Sequence, residues 1–467
     1  MPLNEPNTEF LAELATIASV KPAEARYLEE PRGRFVGQGA AVVRPTSVDE
    51  VSAVVRLCNL HSVGIVPFGG GTGLVGGQTM PDGTKPIILS MERMNKIREV
   101  DASENVLIAE AGVILANIQS AAEGKERMFP LSLASEGSCQ IGGNLATNAG
   151  GINVLRYGNA RDLCLGVEAV LPDGSIYNGL KKLRKDNTGY DLRDLLVGSE
   201  GTLGIITAAT LRIKQQPAEI ETAFLAIPNP YVALALLHRL SRHLGEVISA
   251  FELIHRQGFD FLTEAGMPFN EPFTTRSDWM ILLECGAGVG VNLKHNLEAI
   301  LADAFEERMI LDAVLAQNDS QRRAFWQIRE TIPEANRRIG VISSHDISVP
   351  VSRVPEFIEQ AAKVVAGINP NFRINCFGHL GDGNLHYNVY PPKGVKRREF
   401  DSVREQVKTA VYDLVASYGG SFSAEHGIGR MKKADLANYG DPVKIATMRS
   451  IKAALDPNGI MNPGAVI

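Results

Sequence analysis

The sequence predicts an α+β fold: a glycine-rich first part, a second part of alternating helices and strands, and a motif-dense closing stretch. Three observations carry this. Glycine is concentrated between Gly33 and Gly204, and it thins from there to about residue 375. Residues 218–374 alternate amphipathic and extended runs, and glycine then returns among polar residues at 378–388 and 419–429. The expected boundaries are 1–217, 218–420 and 421–467, with the last segment returning to the first part.

The elements follow from local pattern. A helix is expected over residues 48–60, where Ser47 and Glu50 have capping-box spacing and Val48, Val51, Val54 and Leu60 recur near a 3.6-residue period. Strands are expected at 65–68, 87–90, 106–111 and 166–171, separated by turn signals such as Pro172-Asp173-Gly174. Farther on, 231–243 and 291–307 read as helices, and 247–254 and 280–284 as strands of one antiparallel sheet covered by helices.

Composition narrows the function. The 467 residues carry 47 basic and 53 acidic side chains, a net charge of −6, with no cationic stripe of the kind phosphate backbones require. Nucleic acid is therefore not an expected partner. Residues 1–10 lack the charge and apolar pattern of a targeting peptide, and no apolar run reaches the length of a membrane span. Five scattered cysteines without a C-x-x-C point to free thiols and a cytoplasmic protein.

Two glycine loops suggest a long ligand. The first, Gly69-Gly70-Gly71-Thr72-Gly73-Leu74-Val75-Gly76-Gly77, formally contains G-x-G-x-x-G, yet Pro81, Asp82, Gly83 and Pro86 forbid the helix that motif must open. What remains is a loop whose backbone N–H groups can close around an anion, or a tight turn. The second runs Gly137-Ser138-Cys139-Gln140-Ile141-Gly142-Gly143-Asn144-Leu145-Ala146-Thr147-Asn148-Ala149-Gly150-Gly151, where Asn144, Thr147 and Asn148 add hydrogen-bonding groups. A third, Gly198-Ser199-Glu200-Gly201-Thr202-Leu203-Gly204-Ile205, suits the floor of such a site.

The closing stretch carries chemistry. In Gly378-His379-Leu380-Gly381-Asp382-Gly383-Asn384-Leu385-His386-Tyr387-Asn388 an Asp-Gly turn separates two β-prone arms, so His379 and His386 can converge, with Asn388 on the face of His386. Asp382 and Asn384 are explained by the turn. Ser423-Ala424-Glu425-His426 adds a carboxylate and an imidazole. His379, His386 and Glu425 would give a cation, zinc by preference, three ligands and open positions. His426 would stay free as a base, although a turn-capping histidine explains it equally simply.

Together these motifs resemble the flavoprotein family that includes D-2-hydroxyglutarate dehydrogenase, D-lactate dehydrogenase and the glycolate oxidase D subunit. The likeness runs from about Val36 to Pro463, and Arg184-Lys185-Asp186-Asn187-Thr188-Gly189-Tyr190-Asp191-Leu192 is especially similar to the hydroxyglutarate enzymes. It implies a two-part FAD domain of the vanillyl-alcohol oxidase type, a substrate and metal domain, and a C-terminal segment returning to the flavin through Asn462. It implies FAD held by Pro67, by both glycine loops and by Glu200, Gly204 and Ile205. The binding would be non-covalent, because the first loop lacks the histidine of flavinylated relatives. It also implies zinc or another divalent metal on His379, His386 and Glu425, Asn388 beside it, and hydride transfer from a D-2-hydroxy acid to flavin N5 with His426 as base.

Arg329 matches the arginine that holds the substrate carboxylate. The threonine and lysine that accompany it in the hydroxyglutarate enzymes are Pro333 and Ser344 here, a loss worth about 2–5 kcal/mol for a desolvated pair, with His345 as the expected substitute. A D-lactate or aromatic D-2-hydroxy acid is the alternative substrate. A zinc hydrolase acting on a nucleotide is the alternative from another class. The resemblance names an electron-transfer flavoprotein or quinone as electron acceptor and allows a homodimer.

Overall fold

The computed structural model describes residues 2–467. Contacts divide the chain into two units: Met1–Gly151, Gly158–Gln216 and Glu425–Ile467 form the first, Ile152–Tyr157 and Pro217–Ala424 the second.

The first unit holds three sheets. β1 (Ser19–Lys21), β2 (Ala41–Arg44), β3 (Ile65–Phe68) and β4 (Ile87–Ser90) lie in the order β1-β2-β4-β3, with β2, β4 and β3 parallel. β5 (Ile97–Asp101), β6 (Val106–Glu110), β8 (Cys164–Val170), β9 (Ile176–Asn178) and β10 (Ile205–Arg212) form an antiparallel sheet ordered β5-β6-β10-β8-β9. β7 (Arg127–Met128) pairs with β11 (Lys214–Gln215).

The helix Val48–His61 delivers Val51, Val54, Val55 and Cys58 to the core beside Ile65, Ile87 and Leu89. Each such side chain taken wholly out of water contributes about 1.5–3 kcal/mol. Its N-terminus departs from a reciprocal capping box: Ser47 Oγ accepts from the Glu50 N–H at 3.2 Å, but the Glu50 carboxylate reaches Thr46, accepting its N–H at 2.7 Å. The helix Thr8–Ile17, capped by Asn7 and burying Phe10 and Leu14, has no counterpart in the sequence reading. Only two buried positions mark it, too few for a periodicity to show.

The second unit is one seven-stranded antiparallel sheet: β12 (Glu219–Ile227), β13 (Ile248–His255), β14 (Trp279–Ala287), β15 (Asp312–Leu315), β16 (Ser343–Ser348), β17 (Arg373–His379) and β18 (Asn384–Tyr390). The order is β15-β12-β14-β13-β17-β18-β16. Helices Gln257–Glu264 and Asp319–Ile339 pack Phe259, Phe261, Phe325 and Ile332 against Phe224, Met280 and Leu282 of the sheet. The helix expected from residue 291 begins at Leu293, because Gly290 and Asn292 lie in the left-handed region and cannot extend it. Asp382 and Gly383 turn β17 into β18 as an antiparallel hairpin with Phe377 opposite His386.

All five cysteines are free and buried. Among the described residues no helix is long and apolar enough to cross a membrane.

Candidate active site

In the first unit the two glycine loops touch backbone to backbone. A Cβ on Gly70 would stand 2.1 Å from the Ser138 carbonyl oxygen, and one on Gly142 would stand 2.6 Å from the Ala111 Cβ. Only residues without side chains allow this approach. Gln78 Nε2 ties the first loop by donating to the Gly73 carbonyl at 2.8 Å.

The loops and β10 bound an open cavity. Pro67, Gly69, Gly70, Gly71, Thr72, Gly73 and Gly77 line it, as do Gly142, Gly143, Asn144 and Thr147. Glu200, Gly204, Ile205, Asn462 and His426 complete the lining among the expected residues. Leu74, Gly76, Gly137, Ser138, Asn148, Gly150 and Gly151 stand outside it. Several of these have structural work instead: Ser138 abuts Gly70, Gly151 abuts the Ser132 carbonyl, and the Asn148 side chain accepts from the Arg161 N–H at 2.9 Å. Two buried acceptors, Gln140 Oε1 and Asn144 Oδ1, have no hydrogen-bond partner among the described residues. Such atoms beside a cavity are what a ligand rich in N–H and hydroxyl groups would satisfy. Gly70→Ala is expected to push the loops apart and release FAD, seen as at least a tenfold weaker FAD affinity by fluorescence titration.

Glu200 does something the sequence did not announce. It is buried with φ +52, and its carboxylate accepts the Ile428 N–H at 2.7 Å and the Gly429 N–H at 2.8 Å, which fixes the loop that carries His426. Burial raises its pKa, a shift those two donors and Arg430 only partly oppose. Asn462 Nδ2 donates to the Gly77 and Glu200 carbonyls at 3.0 and 2.8 Å, and Arg430 donates to Gly76 and Gly77 and to Asn462. Arg430 was missed because most of its partners are main-chain carbonyls, which leave no mark on the sequence.

In the second unit His379 and His386 come together from β17 and β18, ring centroids 5.8 Å apart. Glu425 follows directly on Ala424, whose N–H donates to the Asp346 carbonyl at 3.3 Å. A carboxylate absent from the sequence reading completes the picture. Glu252 of β13, fully buried, bonds His379 Nδ1 through Oε1 and accepts Arg329 Nε at 2.8 Å through Oε2. Burial alone would raise the Glu252 carboxyl, but its hydrogen-bonded neighbours His379 and Arg329 outweigh it and hold it well below the usual range. With Nδ1–H given to a carboxylate, His379 presents the Nε2 lone pair to a cation, the arrangement usual for metal-bound imidazoles. The signal for Glu252 was its place, an acid within the apolar strand Ala250-Phe251-Glu252-Leu253.

Arg329, on the helix Asp319–Ile339, lies over the Phe377 ring at 4.7 Å. Beyond Nε, no described residue accepts from its guanidinium. Asn388 and Ser344 oppose each other on the sheet face that also carries Asp346 and His386. The expectation for His345 fails, since strand alternation turns it to the opposite face. There it is 1% exposed, with Nδ1 on the Tyr387 carbonyl at 2.6 Å and Nε2 on Ser343 Oγ at 2.9 Å.

Comparison with known proteins places the chain in a family. Residues 216–466 match the family described as FAD linked oxidases, C-terminal domain, and residues 39–179 match FAD binding domain. The chain belongs to the FAD-linked oxidases. This FAD-linked oxidase is 36% identical over 435 residues to the mitochondrial D-2-hydroxyglutarate dehydrogenase of Arabidopsis thaliana, an alignment covering 93% of the chain and 76% of the relative. It is 37% identical to the D-2-hydroxyglutarate dehydrogenase of Stutzerimonas stutzeri (strain A1501), covering 92% of each. Its fold is that of p-cresol methylhydroxylase (TM-score 0.77, 17% identity, 100% and 98% of the two chains). It is therefore an FAD-dependent oxidoreductase of the D-2-hydroxyglutarate and D-lactate dehydrogenase family, which sets aside the hydrolase alternative.

Proposed function

We propose that this oxidoreductase oxidises a D-2-hydroxy acid to the 2-oxo acid with FAD and a divalent cation. The observation that carries the reading is the meeting of the His379 and His386 imidazoles across one hairpin, with His379 sharing Glu252 with the guanidinium of Arg329. The glycine loops would hold FAD, which would supply a hydride acceptor. By family likeness His379, His386 and Glu425 would hold a divalent cation, zinc being the natural choice for this donor set, which would supply charge that acidifies the substrate hydroxyl.

The remaining steps belong to side chains of the chain. Arg329 has donors to spare and a buried stem, so it takes the substrate carboxylate in a forked hydrogen bond and fixes the C2 stereochemistry. Asn388 offers an amide to the same acid. His426 receives the hydroxyl proton, a task that suits an imidazole because it titrates near neutrality. Ser344 is exposed and carries no charge, and Pro333 lies inside the Arg329 helix, so a second substrate carboxylate meets no cation at either position. This favours a monocarboxylic D-2-hydroxy acid such as D-lactate over D-2-hydroxyglutarate. By family likeness the electrons pass on to an electron-transfer flavoprotein or a quinone, and the buried free thiols favour a cytoplasmic setting.

The test is anaerobic bleaching of the bound flavin by D- and L-lactate, malate, mandelate and 2-hydroxyglutarate, before and after treatment with a chelator. D-acids alone should bleach, D-lactate at lower concentration than D-2-hydroxyglutarate, and chelation should slow bleaching at least tenfold, with recovery on adding zinc. Equal bleaching by both enantiomers, or indifference to the chelator, refutes the reading.

A further inference from the structure

Glu252 is a carboxylate in the middle of a mostly apolar strand, with no exposure to solvent. A lone buried carboxylate is strongly disfavoured, and a hydrophobic residue of the same volume would pack the sheet at least as well. Its presence therefore calls for a task other than packing. Both oxygens are committed, one to His379 Nδ1 and the other to Arg329 Nε. His379 sits directly opposite Glu252 in the β13–β17 register, so the pairing is built into the sheet and not left to a flexible loop. The Arg329 guanidinium is braced in turn by the ring of Phe377, two residues before His379 on β17.

We propose that Glu252 is a positioning residue for the metal centre. It selects the tautomer of His379 that offers Nε2 to the cation, holds the ring in its coordinating orientation, and balances Arg329 so that a guanidinium can stand beside the cation site. The proposal rests on the reading of His379 as a metal ligand, and it adds a residue that touches neither cation nor substrate. A carboxylate behind a coordinating imidazole typically carries a factor of about 10–100 in metal affinity.

The experiment measures zinc affinity of the FAD-loaded, full-length protein by competition with a chromophoric chelator, for the parent and for Glu252→Gln. The amide keeps the volume and one acceptor but loses the charge. Zinc affinity should fall by about 10–100-fold, while the visible flavin spectrum and FAD stoichiometry stay unchanged. A second variant, Glu252→Leu with Arg329→Leu, removes the ion pair as a unit so that no charge is left stranded. It should fold and show the same loss of zinc affinity, because His379 has still lost its acceptor. If either variant melts earlier but binds zinc as tightly as the parent, Glu252 is merely structural and the proposal is overturned. If the parent itself takes up no zinc, the reading of the metal site fails first and the role of Glu252 goes with it.

Discussion

Replacing His426 with alanine should slow reduction of the bound flavin by about 10²–10⁴, the usual contribution of a well-placed general base. The imidazole lines the cofactor cavity, on a loop fixed by Glu200 through the Ile428 and Gly429 amides. Truncating it leaves those two hydrogen bonds and the glycine loops in place, so FAD and zinc contents should match the parent. Stopped-flow mixing with the preferred D-2-hydroxy acid under nitrogen reads the effect directly, free of the electron acceptor. The residual rate should rise with pH as solvent hydroxide takes over the proton. Parent-like flavin reduction in the alanine variant would remove His426 from its assigned part.

The second large effect is expected at Arg329, where stability and substrate affinity should fall together. Arg329→Leu leaves the Glu252 carboxylate at zero exposure with its charge shared only with His379, and breaking one side of such a buried pair costs about 3–5 kcal/mol. For a domain of this size that corresponds to a fall in melting temperature of roughly 6–20 °C. The parallel loss is in binding the acid's carboxylate, seen as a higher half-saturating concentration in the bleaching titration. Arg329→Lys separates the two. It restores a positive charge for Glu252 and much of the stability, but a lysine cannot offer two parallel N–H groups, so affinity should stay low. A leucine variant that melts with the parent would show that Glu252 is compensated from elsewhere.

What the sequence disclosed and what it withheld divide along a physical line. The hairpin bearing His379 and His386 was readable because a glycine turn flanked by alternating β-formers has few other solutions. The strands Ile65–Phe68 and Ile87–Ser90 were readable as short apolar runs bounded by breakers. The face of His345 was not, since it depends on where β16 begins its alternation, and a shift of one residue reverses every side chain. Glu252 was hidden for a related reason: an acid in a strand usually marks a wet face, and only the packing of three elements shows this one to be dry. The glycine loops were legible as a class, yet which of their residues meet the cavity was not. Gly151 and Asn148 satisfy the same composition while supporting the loop from behind. The exposed stretch around Tyr190, so similar to hydroxyglutarate enzymes in sequence, has no role that the structure explains.

The burial of every cysteine has a chemical consequence. Loss of hydration pushes the thiols of Cys164 and Cys285 up to about 12 and that of Cys58 higher still, with Cys139 and Cys376 raised as well. Sulfur reacts with peroxide and disulfides as the thiolate, and a folded chain of this kind presents almost none. The native fold thus shields all five thiols from oxidation, and only unfolding would bring them into reach.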